Sequence, residues 1–158
     1  MSSISKPSFD EVRRNIEAAL QRLYKSDLFL ITNSTNERTI THKFAEHIQQ
    51  LFPEWHVDCE YNRRGEEQRK DVEGRNTTYP DIIIHRRNTK DNLLVIEAKS
   101  IHSQDHSDTD DKDKIIKYIS DMKYSYSYGL WICFYDELVK TQLDWFENHA
   151  GECRGVSL

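Results

Sequence analysis

The sequence has 158 residues, 37% of them hydrophobic and 31% charged, with a formal net charge of −5. That length and composition describe one globular domain with a real core and exclude a disordered or low-complexity chain. The acidic balance gives no global basic field that would advertise a nucleic-acid partner, and no apolar run approaches the roughly 20 residues needed to cross a membrane.

The opening stretch MSSISKPSFDEV lacks the apolar segment of a signal peptide. Cys59, Cys133 and Cys153 make neither a C-x-x-C pair nor an even disulfide set. Thiols in a reducing cytosol, and hence a cytoplasmic protein, are the expectation. Ser8 with Glu11 three residues on forms a capping box. Phe9, Val12, Ile16, Ala19, Leu20 and Leu23 then recur at helical spacing to about Lys25. Leu28 to Thr32 is short and apolar. Residues 1–33 therefore read as an N-terminal helical extension of a single domain spanning 1–158.

Ser34-x-x-Glu37 opens a second helix that runs to about Phe52 and is stopped by Pro53. Its apolar stripe is Ile40, Phe44, Ile48, Leu51 and Phe52. At about 100° per residue Glu37 falls on that stripe and Glu46 falls opposite it. Glu37 is either an acid aimed at the sheet or the capping-box glutamate. His42 lies on the polar side, as a surface or hydrogen-bonding histidine. Trp55, Val57, Cys59 and Tyr61 alternate with polar residues, which predicts a half-buried strand whose Asp58 and Glu60 form a solvated face. The polar loop from Arg63 to Asn76 carries Arg63, Arg64, Arg69, Lys70 and Arg75 against four acids. Arg63 and Arg64 are candidate phosphate contacts in an otherwise ordinary loop.

The centre of the chain is TYPDIIIHRRNTKDNLLVIEAKS, Thr78 to Ser100. Ile82–Ile84 and Leu93–Ile96 are short β-branched runs joined by a polar segment, which predicts a hairpin. Asp81, Ile83 and His85 share one face; Leu93, Val95, Glu97 and Lys99 share one on the second strand; Ile82, Ile84, Leu94 and Ile96 face the other way. The hairpin brings Asp81 beside Glu97 and Lys99. Both faces are apolar away from that point, so both should be covered. Two adjacent carboxylates repel, and a cation relieves the repulsion. Hard oxygen ligands suit Mg²⁺, and a lysine adds a charge that can meet a phosphate oxygen.

Further on, His102 and His106 have no third ligand nearby, so zinc is not expected. Asp105, Asp108, Asp110, Asp111 and Asp113 precede a helix marked by Ile115, Ile116, Ile119 and Met122, where acids complement the helix dipole. Tyr118 shares a face with Lys114. Tyr128 to Tyr135 predicts a buried strand. Leu138 to Phe146 predicts a closing helix with Leu138, Leu143 and Phe146 inward, and from Gly151 the tail has little to bury.

Pro80-Asp81, the sixteen-residue interval to Glu97, and Glu97-Ala98-Lys99, set in this order of elements, resemble the PD-(D/E)XK nuclease superfamily of restriction endonuclease-like and Holliday junction resolvase-like proteins. The resemblance implies an α/β fold with a restriction endonuclease-like core. That core is a mixed central β-sheet flanked by helices, in the order αβββαβ, with extra N- and C-terminal helices. It implies a Mg²⁺-dependent nuclease, with Mn²⁺ able to substitute, acting on DNA in preference to RNA. Asp81, Glu97 and the Ala98 carbonyl would hold the metal, with Glu37 as a first-helix acid that reaches it. Lys99 would orient the attacking water or stabilise the transition state. Asp111-x-x-Lys114-Ile115 is similar to a motif that follows E-x-K in relatives, which makes Lys114, with Tyr118, a candidate substrate contact. A chain of this size has no room for a separate recognition domain, so strong sequence specificity would call for a homodimer or a partner. The alternative is a nuclease-fold module that binds nucleic acid or protein without cutting.

Overall fold

The computed structural model describes residues 5–33, 35–60, 79–103 and 108–158. Helix α1 (Phe9–Ser26) starts at Ser8, whose hydroxyl accepts the Glu11 N–H while the Glu11 carboxylate accepts the Ser8 N–H, so the capping box is closed. A single turn, α2 (Leu28–Thr32), leads to α3 (Glu37–Leu51). Here the capping expectation needs correction. The N-cap is Asn36, whose side chain accepts the Arg38 N–H, so Glu37 is the first helical residue and its carboxylate is released for other work.

The strands are β1 (His56–Cys59), β2 (Ile82–His85), β3 (Asn92–Ser100), β4 (Tyr128–Phe134), β5 (Gln142–His149) and β6 (Glu152–Val156), with α4 (Asp108–Ser120) between β3 and β4. They form one mixed sheet in sequential order β1-β2-β3-β4-β5-β6. Among the described strands, only β3 and β4 are parallel, joined by a helical crossover; the other neighbours are antiparallel. The protein is thus an α/β domain with a helix-covered mixed sheet. Among the described residues, no helix is long and apolar enough to cross a membrane.

Each face of the sheet has its own core. Ile82, Ile84, Leu94, Ile96, Leu130 and Ile132 pack under α1, α2 and α3 against residues such as Ile16, Ile40, Phe44 and Ile48. Ile83, Val95 and Trp131 pack under α4 against Ile115 and Ile119. The N-terminal extension is therefore part of the main core. Leu93 departs from simple alternation. The register pairs Ile84 with Leu94 and His85 with Asn92, so Leu93 is the extra residue of a bulge and joins the first core beside Leu94. On α4, Ile115 and Ile119 are buried and Ile116 lies on the outer side, 41% exposed; the helix ends at Ser120, so Met122, 94% exposed, lies beyond it and not on its apolar stripe.

Two further expectations are overturned. Asp58 is not on a solvated face: it accepts from buried His85 at 2.7 Å and pairs with Arg87. The predicted closing helix at Leu138 to Phe146 is a 3₁₀ turn, Leu138–Lys140, followed by β5. Leu143 and Trp145 pack on one face and Phe146 on the other, a period of two. Ala150 and Gly151, both at positive φ (51° and 90°), make the two-residue turn into β6. The tail thus pairs with the sheet where little burial was expected.

Gly129 fixes how closely α4 lies on the sheet. A Cβ there would stand 2.4 Å from Ile115 Cγ2 and 2.9 Å from Ile119 Cδ1. Ile115 Cγ2 sits on a β-branched centre with no freedom to retreat. Gly129→Ala should therefore lower stability by about 1–3 kcal/mol, as read by denaturant unfolding. A neutral substitution would show that α4 is not held by this contact.

Candidate active site

The site follows from a mismatch in strand length. β2 begins at Ile82, opposite Ile96, whereas β3 continues to Ser100. On the β2 side, the last residues of β3 have no strand to pair with among the described residues. Buried N–H groups cannot be left that way, and two carboxylates complete the ladder. Asp81 Oδ2 accepts the Ala98 N–H at 2.8 Å, and Glu37 Oε2 accepts the Ser100 N–H at 3.1 Å. The carbonyl and N–H of an extended residue point to the same side, so the Ala98 carbonyl also faces this open edge. Glu37 reaches it because Ile40 and Phe44, on the same stripe, are fully buried against the sheet.

Glu97 projects from β3 onto the α4 face and is 2% exposed. Its Oε1 is buried with no hydrogen-bond partner among the described residues. Its other oxygen lies 3.6 Å from the Lys114 ammonium. Burial, and then the charge of Asp81, hold the Glu97 carboxyl well above its usual range. A hydrogen bond from a protonated form of the pair favours the neutral carboxyl further. Asp81 is pushed up to about 6, chiefly by burial and by Glu37 and Asp111, against the Ala98 N–H and Lys114. The pair therefore holds either a shared proton or a cation.

Helix α4 supplies one of the two lysines and more acid. Asp111, 13% exposed, lies 3.1 Å from the Lys99 ammonium and 3.4 Å from that of Lys114; Asp108 is 3.9 Å from Lys99. Lys114 is partly buried, which disfavours its charge. Glu97 and Asp111 outweigh that and hold it above its usual value.

The structure thus brings together Asp81, Glu97, Ala98, Glu37, Lys99 and Lys114. Lys99 is on the expected face, but its ammonium rests on the α4 acids. Tyr118 is elsewhere, packed against Tyr124 and Tyr126 with ring centroids 4.9 and 6.2 Å away. Glu46 is on the outer side of α3 with His42 and Lys43, each at 3.1 Å, and Glu60 pairs with Arg38. Arg63 and Arg64 lie outside the described residues. Asp111, a dipole acid by position and the first residue of the D-x-x-K-I pattern, belongs to the site, three residues from Lys114. His85 and Asp58 form a separate buried pair.

Among the described residues, no three side chains of His, Cys, Asp or Glu converge as a ready metal cage. Mg²⁺ does not require one: it is held by one or two carboxylates with waters and substrate phosphate. The partnerless Glu97 oxygen, the adjoining Asp81 carboxylate and the edge-facing Ala98 carbonyl suit such an ion. No protein-family model matches the sequence, and no curated protein is detectably similar to it.

The raised acids make a stability prediction. Well below the ordinary aspartate value of 3.8, folded and unfolded chains both hold the protons and neither acid costs stability. As pH rises, the unfolded chain ionises first, so stability falls until the folded value of about 6 for Asp81 is passed, and further for Glu97. Asn at position 81 keeps an acceptor for the Ala98 N–H without the charge. In chelator-treated protein, Asp81→Asn should be more stable than wild type by about 1–3 kcal/mol near pH 7.5 and equal to it near pH 3. Thermal melts at both pH values check this, and a destabilised variant at the higher pH would contradict the assigned electrostatics.

Proposed function

We propose that the protein is a metal-dependent nuclease that hydrolyses phosphodiester bonds in DNA, with a restriction endonuclease-like fold. The observation that carries the reading is the buried Asp81–Glu97 pair, with a Glu97 oxygen that has no hydrogen-bond partner among the described residues and two lysines on its α4 side. A purely structural ion pair would satisfy its oxygens. The element order α3-β1-β2-β3-α4-β4 is also similar to the αβββαβ core of PD-(D/E)XK nucleases.

In this reading Asp81, Glu97 and the Ala98 carbonyl hold Mg²⁺, or Mn²⁺ in its place. The bound ion supplies charge to the scissile phosphate and makes a water nucleophilic near neutral pH. The chain does the rest. Glu37 keeps the end of β3 in place and adds negative charge at the Asp81 side. Lys99 and Lys114 present ammonium groups to the phosphate oxygens, whose charge grows in the transition state. Burial of Glu97 keeps bulk water from screening these charges. Three cysteines with no disulfide among the described residues suit a cytosolic protein.

Cleavage of supercoiled plasmid, linear duplex and single strands in Mg²⁺ and Mn²⁺ tests the proposal. Asp81→Asn and Glu97→Gln should each remove activity while the protein stays folded. Glu37→Gln should reduce turnover at nearly constant melting temperature, and Glu46→Gln should behave as wild type. Wild-type cleavage by a folded Asp81→Asn protein would end the proposal. Loss confined to the Glu46 variant would place the working acid on the other side of α3.

A further inference from the structure

Asp111 is the group that both lysines share. One oxygen lies 3.1 Å from Lys99 and the other 3.4 Å from Lys114. Its side chain is 13% exposed, against 62% for Asp108, the other acid near Lys99. The Asp111 contacts therefore lie where water screens least. Asp111 is also firmly placed. It stands on the first turns of α4, and α4 is seated by Ile115 and Ile119 over Gly129. Its position is set by the core and not by the site it serves.

This matters because Lys114 also touches Glu97, at 3.6 Å. An ammonium on that carboxylate competes with any divalent cation for the same oxygens. Lys114 divides its attraction between Glu97 and Asp111, which weakens its hold on Glu97. Lys99, two residues along the same face of β3, is drawn to the helix acids and away from the pair.

We propose that Asp111 is the positioning residue of this site: it anchors Lys99 and Lys114 to α4 and so leaves the Asp81–Glu97 pair open to a divalent cation. The inference rests on the metal-dependent reading above. With the pair occupied by a cation, Lys114 retains Asp111 as its partner and keeps its ammonium beside the place a phosphate would take.

The test is calorimetric titration of the full chain with Mn²⁺, together with single-turnover cleavage of supercoiled plasmid. Asp111→Asn removes the charge that competes with Glu97 for Lys114. It should weaken Mn²⁺ binding and slow cleavage, each by about 10- to 100-fold, the usual range for residues that orient a metal site from outside it. Asp111→Glu, which restores the charge, should recover part of both. Lys114→Met should act with opposite signs: tighter Mn²⁺ binding, because the competitor is gone, but slower cleavage. A merely structural α4 would weaken binding in both variants. Binding and cleavage by Asp111→Asn within about twofold of wild type would overturn the inference, as would weaker Mn²⁺ binding by Lys114→Met. Should Asp111→Asn fail to fold, the sign of the Lys114→Met change decides. Wild-type protein that binds no Mn²⁺ ends the metal reading and this inference together. Wild-type binding with an unaffected Asp111→Asn ends this inference alone.

Discussion

The meeting of two carboxylates at the end of β3 governs the rest of the site. β3 outruns β2, and the buried edge it leaves must be closed by acceptors. Asp81 and Glu37 close it, and in doing so they bring negative charge up to Glu97, a group already desolvated by the core. Like charges in a dry place are tolerated only with a proton, a lysine or a metal ion between them. The lysines come from both sides: Lys99 from the strand itself and Lys114 from the crossover helix. Because β3 and β4 are parallel, the chain must cross the sheet between them, and the crossover sets α4 over the acids.

Much of this was legible in the sequence. The hairpin follows from two β-branched runs with polar punctuation, and strand alternation then places Asp81 beside Glu97 with little freedom. Glu37 was legible as a stripe residue because Ile40 and Phe44 must face the core. The capping reading competed with it until Asn36 proved to be the cap. Asn36 and Ser34 are both good capping residues, and sequence pattern does not choose between caps two residues apart.

Other features were hidden for definite reasons. Alternation says which face Lys99 shares but not where a long flexible side chain ends, and its partners belong to a helix whose docking is set by tertiary packing. Asp111 was marked only through its spacing to Lys114, since acids crowd the start of α4 and the helix dipole accounts for all of them equally well. The C-terminal hairpin was missed because both faces of β5 carry apolar residues, which blurs the strand period. Ala150 also takes positive φ in a turn where Asn or Asp is the usual signal. Leu93 escaped alternation through a bulge that no pattern of apolar residues records.

The central claim is that Asp81 and Glu97 are a cation site and not a proton-sharing structural pair. A crystal grown in Mn²⁺ and measured for anomalous scattering tests it most directly. The account predicts a single strong peak within coordination distance of both carboxylates, on the open edge beside Ala98. Saturating Mn²⁺ with no peak there, or with peaks only elsewhere on the acidic surface, would contradict it.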